Sequence, residues 1–159
     1  MTLYMMVGVP GSGKTTYAKK LAAETGAELI SRDNIRFGMV SEGEYYFQKE
    51  NDVFNAYCAF IADWLHSEHD VIADATQLSP KSRQKVISTI EKKYGIQPWA
   101  YDIVFVVMNT DLPTCITRNE MREGRAIVPR SVVRRMSHQL VIPTADEFEN
   151  VKEIRVIKE

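Results

Sequence analysis

The sequence predicts an α/β fold with an open, mostly parallel sheet of about five strands and helices on both faces. Three observations predict it. Apolar runs of strand length alternate with stretches of helical spacing along the chain. The runs at 2–7 (TLYMMV) and 103–108 (IVFVVM) are continuously apolar, as in strands covered on both sides. Glycines and prolines fall singly between the runs, so no linker or repeat divides the chain, and a single domain over residues 1–159 is expected.

Taken in order, the first strand at 2–7 leads into a turn, Gly8 to Gly13, and a helix from Lys14 to Glu24 that Gly26 ends. Residues 27–31 form a second short strand. Apolar residues at Val53, Phe54, Tyr57, Phe60, Ile61, Trp64 and Leu65 place a long helix between Glu44 and His66. A third strand runs from Asp70 to Ala73 and ends at Asp74. Ser79-Pro80 is a cap followed by a first-turn proline, and Val86, Ile87, Ile90 and Tyr94 make the buried face of the helix it opens. Residues 103–108 form a strand, 112–122 and 131–140 form helices, and 154–157 form the last strand.

The chain has 159 residues, 20 Lys+Arg, 21 Asp+Glu and a net charge of −1. This balance excludes a protein coated in basic residues. Two cysteines, Cys58 and Cys115, make no disulfide framework and read as buried thiols. His66, His69 and His138 have no metal-ligand spacing. No apolar run reaches membrane-spanning length, and the apolar start lacks the basic flank of a leader, so a soluble cytoplasmic protein is expected. Asp146, Glu147 and Glu149 are expected to be a solvated acidic patch.

Gly8-Val9-Pro10-Gly11-Ser12-Gly13-Lys14-Thr15 matches G-x-x-x-x-G-K-[ST] at every fixed position, between a strand and a helix. Such a loop turns its N–H groups onto phosphate oxygens. Lys14 reaches the β/γ-phosphates, the Thr15 hydroxyl joins a Mg²⁺ shell, and the helix start carrying Thr16 adds its dipole. The loop implies ATP or another nucleoside triphosphate with Mg²⁺ and a P-loop NTPase-type sheet.

Ligands of parallel sheets bind at the carboxyl ends of the strands. The second strand ends in Ser31-Arg32-Asp33-Asn34-Ile35-Arg36. Asp33 there can accept the proton of an attacking hydroxyl, or it can cap a helix. Arg36 lies one helical turn on. Asp74 ends the third strand, where it can hold Mg²⁺ or orient arginines. Residues 118–135 hold Arg118, Arg122, Arg125, Arg130, Arg134 and Arg135 against Glu120 and Glu123, and read as a lid over phosphates or, for several of them and Arg134 and Arg135 above all, as a solvated basic helix pair. Arg118 and Arg122, four apart, are expected on one helix face.

The pair G-x-P-G-S-G-K-T and S-R-D-N-x-R resembles the 5′-kinase domain of phage-type polynucleotide kinases and related small P-loop kinases. Asp74-Ala75-Thr76-Gln77-Leu78-Ser79-Pro80 and the stretch from Arg118 to Pro129 are similar to that family's third-strand and lid segments, the latter with one extra residue. The resemblance implies a kinase acting on the 5′-OH of a DNA or RNA end. It implies Asp33 as general base, Arg36 as ligand of the acceptor's 3′-phosphate and Arg122 as the transition-state arginine. A small-molecule hydroxyl is the alternative acceptor, and a nucleotide-dependent switch is a third reading. Such kinases often carry an appended phosphatase domain, which 159 residues cannot hold. Tyr45, Tyr46 and Phe47 fit either base stacking or a packed aromatic cluster.

Overall fold

The computed structural model describes residues 1–158. Five parallel strands form one sheet: β1 (Thr2–Val7), β2 (Glu28–Ser31), β3 (Val71–Asp74), β4 (Asp102–Asn109) and β5 (Val151–Lys158), in the order β2-β3-β1-β4-β5. The helices are α1 (Lys14–Thr25), α2 (Arg32–Met39), α3 (Glu50–His66), α4 (Pro80–Ser88), α5 (Leu112–Glu120) and α6 (Arg130–Gln139).

The alternation of side chains along β1 explains the layers. Leu3, Met5 and Val7 point to the face covered by α3 and α4, where they pack with Tyr57, Ile61, Leu65, Val86 and Ile90. Tyr4 and Met6 point to the other face, against Ala18 and Leu21 of α1. The expected sheet and its covered faces are present, and no helix among the described residues is long and apolar enough to cross a membrane.

Two expectations are refined. The long helix lies within 44–66 as expected, after the aromatic residues 45–47. The helix begins at Glu50, because residues 42–49 turn back to bring the aromatic residues and Glu50 against α2. The residues before it, 32–39, form α2. The helix opened by Ser79 is capped as expected, by reciprocal bonds between Ser79 and Ser82, but its last turn, Thr89–Lys93, widens to a π-turn.

Register sets the site. Ser31 at the end of β2 pairs with Asp74 at the end of β3, and β1 lies beside β3. The loop after β1, the start of α2 and Asp74 therefore share one edge of the sheet.

Candidate active site

The phosphate loop is held from three sides. Gly8 N–H donates to Thr76 O at 3.1 Å. Thr110 Oγ1 donates to Ser12 O at 2.7 Å. Val9 packs on Leu78 and Cys115. The tightness explains two glycines. A Cβ on Gly8 would stand 2.5 Å from Ser12 Oγ, and one on Gly11, at φ +82°, would stand 2.1 Å from Cys115 O. No side chain caps α1, so its first-turn N–H groups are left without a side-chain acceptor where the loop ends. Pro10 and Lys14 line the cleft above it, and Thr16 is exposed on the first turn.

Asp74 is buried at 3% exposure. Its Oδ2 accepts the Thr15 hydroxyl at 2.8 Å, and its Oδ1 is buried with no partner. Burial raises its pKa, opposed by the charge of Lys14 and the bond from Thr15. A carboxylate oxygen left unpartnered beside a hydroxyl fits a hard cation that takes its remaining oxygens from phosphate and water. Thr15 and Asp74 are therefore the residues that would hold Mg²⁺. Among the described residues, no cluster of three or more His, Cys, Asp or Glu side chains could hold a metal by itself.

The cap of α2 is Ser31, whose Oγ accepts Asn34 N–H at 3.2 Å. Asp33 is thus spared for other partners. Its Oδ1 takes Arg36 Nη1 and the Tyr46 hydroxyl, the latter at 3.3 Å, and its Oδ2 lies 3.6 Å from Arg122 Nη2. Arg36 is buried. Its Nε and Nη2 form a fork on Glu50, with Nη2 at 2.9 Å, and its guanidinium lies 5.1 Å from the Tyr46 ring centre and 5.2 Å from that of Phe47. Burial works against its charge, but the bonds from Glu50 and Tyr46 outweigh it and raise the pKa above the usual arginine value. Arg32 shares Glu50 at 3.1 Å. Glu50 and Gln77 are the site-region residues that the sequence reading missed, and Tyr46, expected to stack or pack, does pack on Arg36 and Phe47. Gln77 is buried, accepts the Tyr57 hydroxyl and donates to Met6 O at 2.6 Å, tying β1 to the loop after β3.

The lid departs from the expected geometry. α5 ends at Glu120, so Arg122 lies beyond the helix, in a turn closed by its N–H on Asn119 O. Arg118 stands in the last turn of α5 and does not line the cleft. The shared helix face is therefore lost, and that break is what aims Arg122 at Asp33. Asn119, fully buried, donates to Val128 O at 2.6 Å and accepts Val128 N–H at 3.0 Å, which closes the turn as a loop. Arg125 binds the carbonyls of Phe37 and Val40 at the end of α2. Arg130 pairs with Glu120, and Arg134 and Arg135 are exposed on α6. Glu147 is not solvated as expected. It forks onto the buried Arg83, Nε to Oε1 at 2.6 Å.

These elements enclose a cleft of about 260 Å³, with Lys14, Asp33, Arg36, Asp74 and Arg122 all on its wall. It brings a phosphate loop, a carboxylate and a lid arginine to one space.

The family described as AAA domain matches residues 3–143. The chain belongs to the AAA domain family. No curated protein matches the sequence. Among solved structures, one in the Pnkp1/Rnl/Hen1 RNA repair complex is similar at 25% identity and a TM-score of 0.72, covering 87% of this chain and 43% of that one. A sugar kinase from Janibacter sp. HTCC2649 is similar at 20% identity and a TM-score of 0.66, covering 99% of this chain and 84% of that one. A fungal RNA kinase is similar at 13% identity and a TM-score of 0.66, covering 99% and 74%. This member of the AAA domain family thus has the P-loop fold that kinases of quite different acceptors share.

Proposed function

We propose that the chain is an ATP-dependent kinase that phosphorylates the 5′-OH of a nucleic-acid end. The observation that carries the kinase reading is that Lys14 and Asp33 face one cleft, with Arg122 of the lid in contact with Asp33. Lys14 and the loop N–H groups bind the β/γ-phosphates. Asp33 takes the proton of the acceptor hydroxyl, and the freed oxygen attacks the γ-phosphorus. The bond from that phosphorus to the β–γ bridging oxygen breaks, and ADP leaves. Arg122 stabilises charge on the transferring group. Mg²⁺, when bound at Thr15 and Asp74, neutralises phosphate charge.

Two features support a nucleic-acid end as the acceptor. Arg32, Asp33 and Arg36 of the S-R-D-N-x-R segment line the cleft, and the RNA repair structure is among the more similar in sequence. Arg36 has two of its nitrogens on Glu50, which leaves Nη1 as the edge that an acceptor 3′-phosphate shares with Asp33. A small-molecule hydroxyl is the second reading. It is favoured by the modest cleft volume and by the likeness to the sugar kinase over 99% of this chain. The test is transfer of labelled γ-phosphate to a panel of 5′-OH oligonucleotides, nucleoside 3′-monophosphates and small alcohols. Label on the nucleotides is expected. Label on a small alcohol alone selects the second reading.

A further inference from the structure

A second groove lies outside the cleft, between α3 and α4. On α3 it is lined by Asn51, Phe54 and Asn55, and on α4 and the π-turn by Lys85, Lys92 and Lys93, with Ser88 and Thr89 between them. The spacing explains the lining. Positions 51, 54 and 55 share one face of α3, and 85, 88, 89 and 92 share one face of the facing helix. No acidic side chain lines it. All three lysines are exposed, and none forms an ion pair among the described residues. In a chain of net charge −1, three lysines without an ion pair in one polar groove are a local excess, although Lys85 and Lys93 each also lie over an aromatic ring.

The groove is joined to the cleft. Asn51 follows Glu50, which binds Arg36 and Arg32 in the cleft wall. The Phe54 ring carries Arg32 from the cleft, 5.4 Å from its centre, and Lys85 from the groove, 4.3 Å from its centre. Cations therefore continue from the acceptor pocket over Phe54 and down α4. From Lys85 to Lys92 the helix rises about 10 Å, longer than one nucleotide step.

We propose that this groove binds the backbone phosphates of a single strand whose 5′ end lies in the cleft, with Lys85, Lys92 and Lys93 as the phosphate contacts and Asn51 and Asn55 as neutral donors. This rests on the nucleic-acid reading of the cleft and adds to it a footprint of several nucleotides. Lysine on a flexible stem suits contacts that track charge without reading sequence.

The test compares the wild type with a Lys85→Gln/Lys92→Gln/Lys93→Gln variant and its Lys→Arg counterpart. KM is measured for a ten-nucleotide 5′-OH strand and for a nucleoside 3′-monophosphate, and binding of the same strand, labelled at its 3′ end, is followed against salt. The Gln variant is expected to raise the strand's KM about tenfold or more and to flatten the plot of log affinity against log salt by about 2, from about 0.7 per contact. Its kcat and its KM for the mononucleotide stay unchanged, and the Arg variant behaves as wild type. If all proteins phosphorylate the strand with the same KM and the same salt slope, the groove proposal is overturned while the kinase reading stands. If the wild type neither binds nor phosphorylates the strand but phosphorylates a small alcohol, the nucleic-acid reading and the groove fail together. A mononucleotide KM that rises in step with the strand's KM also overturns it, because the lysines then act on the cleft and not along a strand.

Discussion

Arg122, in the turn after α5, reaches across the cleft to Asp33 at the start of α2, with Nη2 3.6 Å from Oδ2. The residues are 89 positions apart, and their contact joins the lid to the base that the proposed chemistry needs. Arg36 holds the other oxygen of the same carboxylate. Asp33 is thereby oriented from both sides.

Asp33→Asn is expected to lower phosphoryl transfer by about 10²–10⁴, the usual worth of a general base, while nucleotide binding survives. Calorimetric titration with ATP and a steady-state transfer assay separate the two. Near-normal transfer in this variant removes Asp33 from the base role.

Glu50→Gln leaves the buried Arg36 without its charged fork. A loss of about 1–3 kcal/mol in urea unfolding is expected, since Glu50 is partly exposed and water compensates in part. The acceptor's KM should rise more than the nucleotide's, because Arg36 and Arg32 line the cleft on the side where the proposed chemistry seats the acceptor. An unchanged unfolding midpoint argues against the fork as a stabilising contact.

Gly11→Ala must move the Cys115 carbonyl or distort the loop at φ +82°. Loss of nucleotide binding is expected, with about 2–4 kcal/mol of stability. Gly124→Ala, also at positive φ but with open space around it, serves as the comparison and should lose less of both.

Asn119→Ala removes both bonds that close the lid turn at Val128. A drop in kcat is expected without a matching change in ATP affinity, together with about 2 kcal/mol of destabilisation. Faster proteolysis between residues 120 and 128 would register the opened turn.

Burial pushes the Cys58 thiol up to about 12, and it raises the Tyr101 and Tyr57 hydroxyls in the same direction. Each of these groups keeps its proton in the folded chain at a pH where the unfolded chain has lost it. Stability from this source is whole below pH 9 and falls as pH rises from about 9 toward 12. Urea midpoints measured at pH 8 and pH 10.5 should show the decline, and Cys58 should stay unreactive to thiol reagents until the protein unfolds. A midpoint that rises with pH contradicts the assignment.

The phosphate loop was legible in the sequence because its chemistry is local: eight adjacent residues between a strand and a helix contain all of it. The strands were legible because apolar runs mark burial directly. The partner of Arg36 was not. Arg36 and Glu50 stand 14 apart, across a turn of aromatic residues whose path no periodicity specifies. Arg122 looked helical by spacing, and only the early end of α5 sets it free. Asn119 stood inside the lid motif, but nothing marked its burial or its bonds to Val128, since a single amide has no pattern to repeat.

The buried Arg83 has a consequence for where this fold begins and ends. Its guanidinium is shared among Gln77 O, Leu78 O, Val141 O and the Glu147 carboxylate. The family match stops at residue 143, before that carboxylate and before β5. A chain trimmed to the matched segment would keep the whole loop from Gly8 to Thr15, yet it would leave the Arg83 cation without its carboxylate and bare one flank of β4. The recognisable portion and the portion that closes the fold are therefore different lengths, and residues 144–158 act as a fastener for a cleft they do not line.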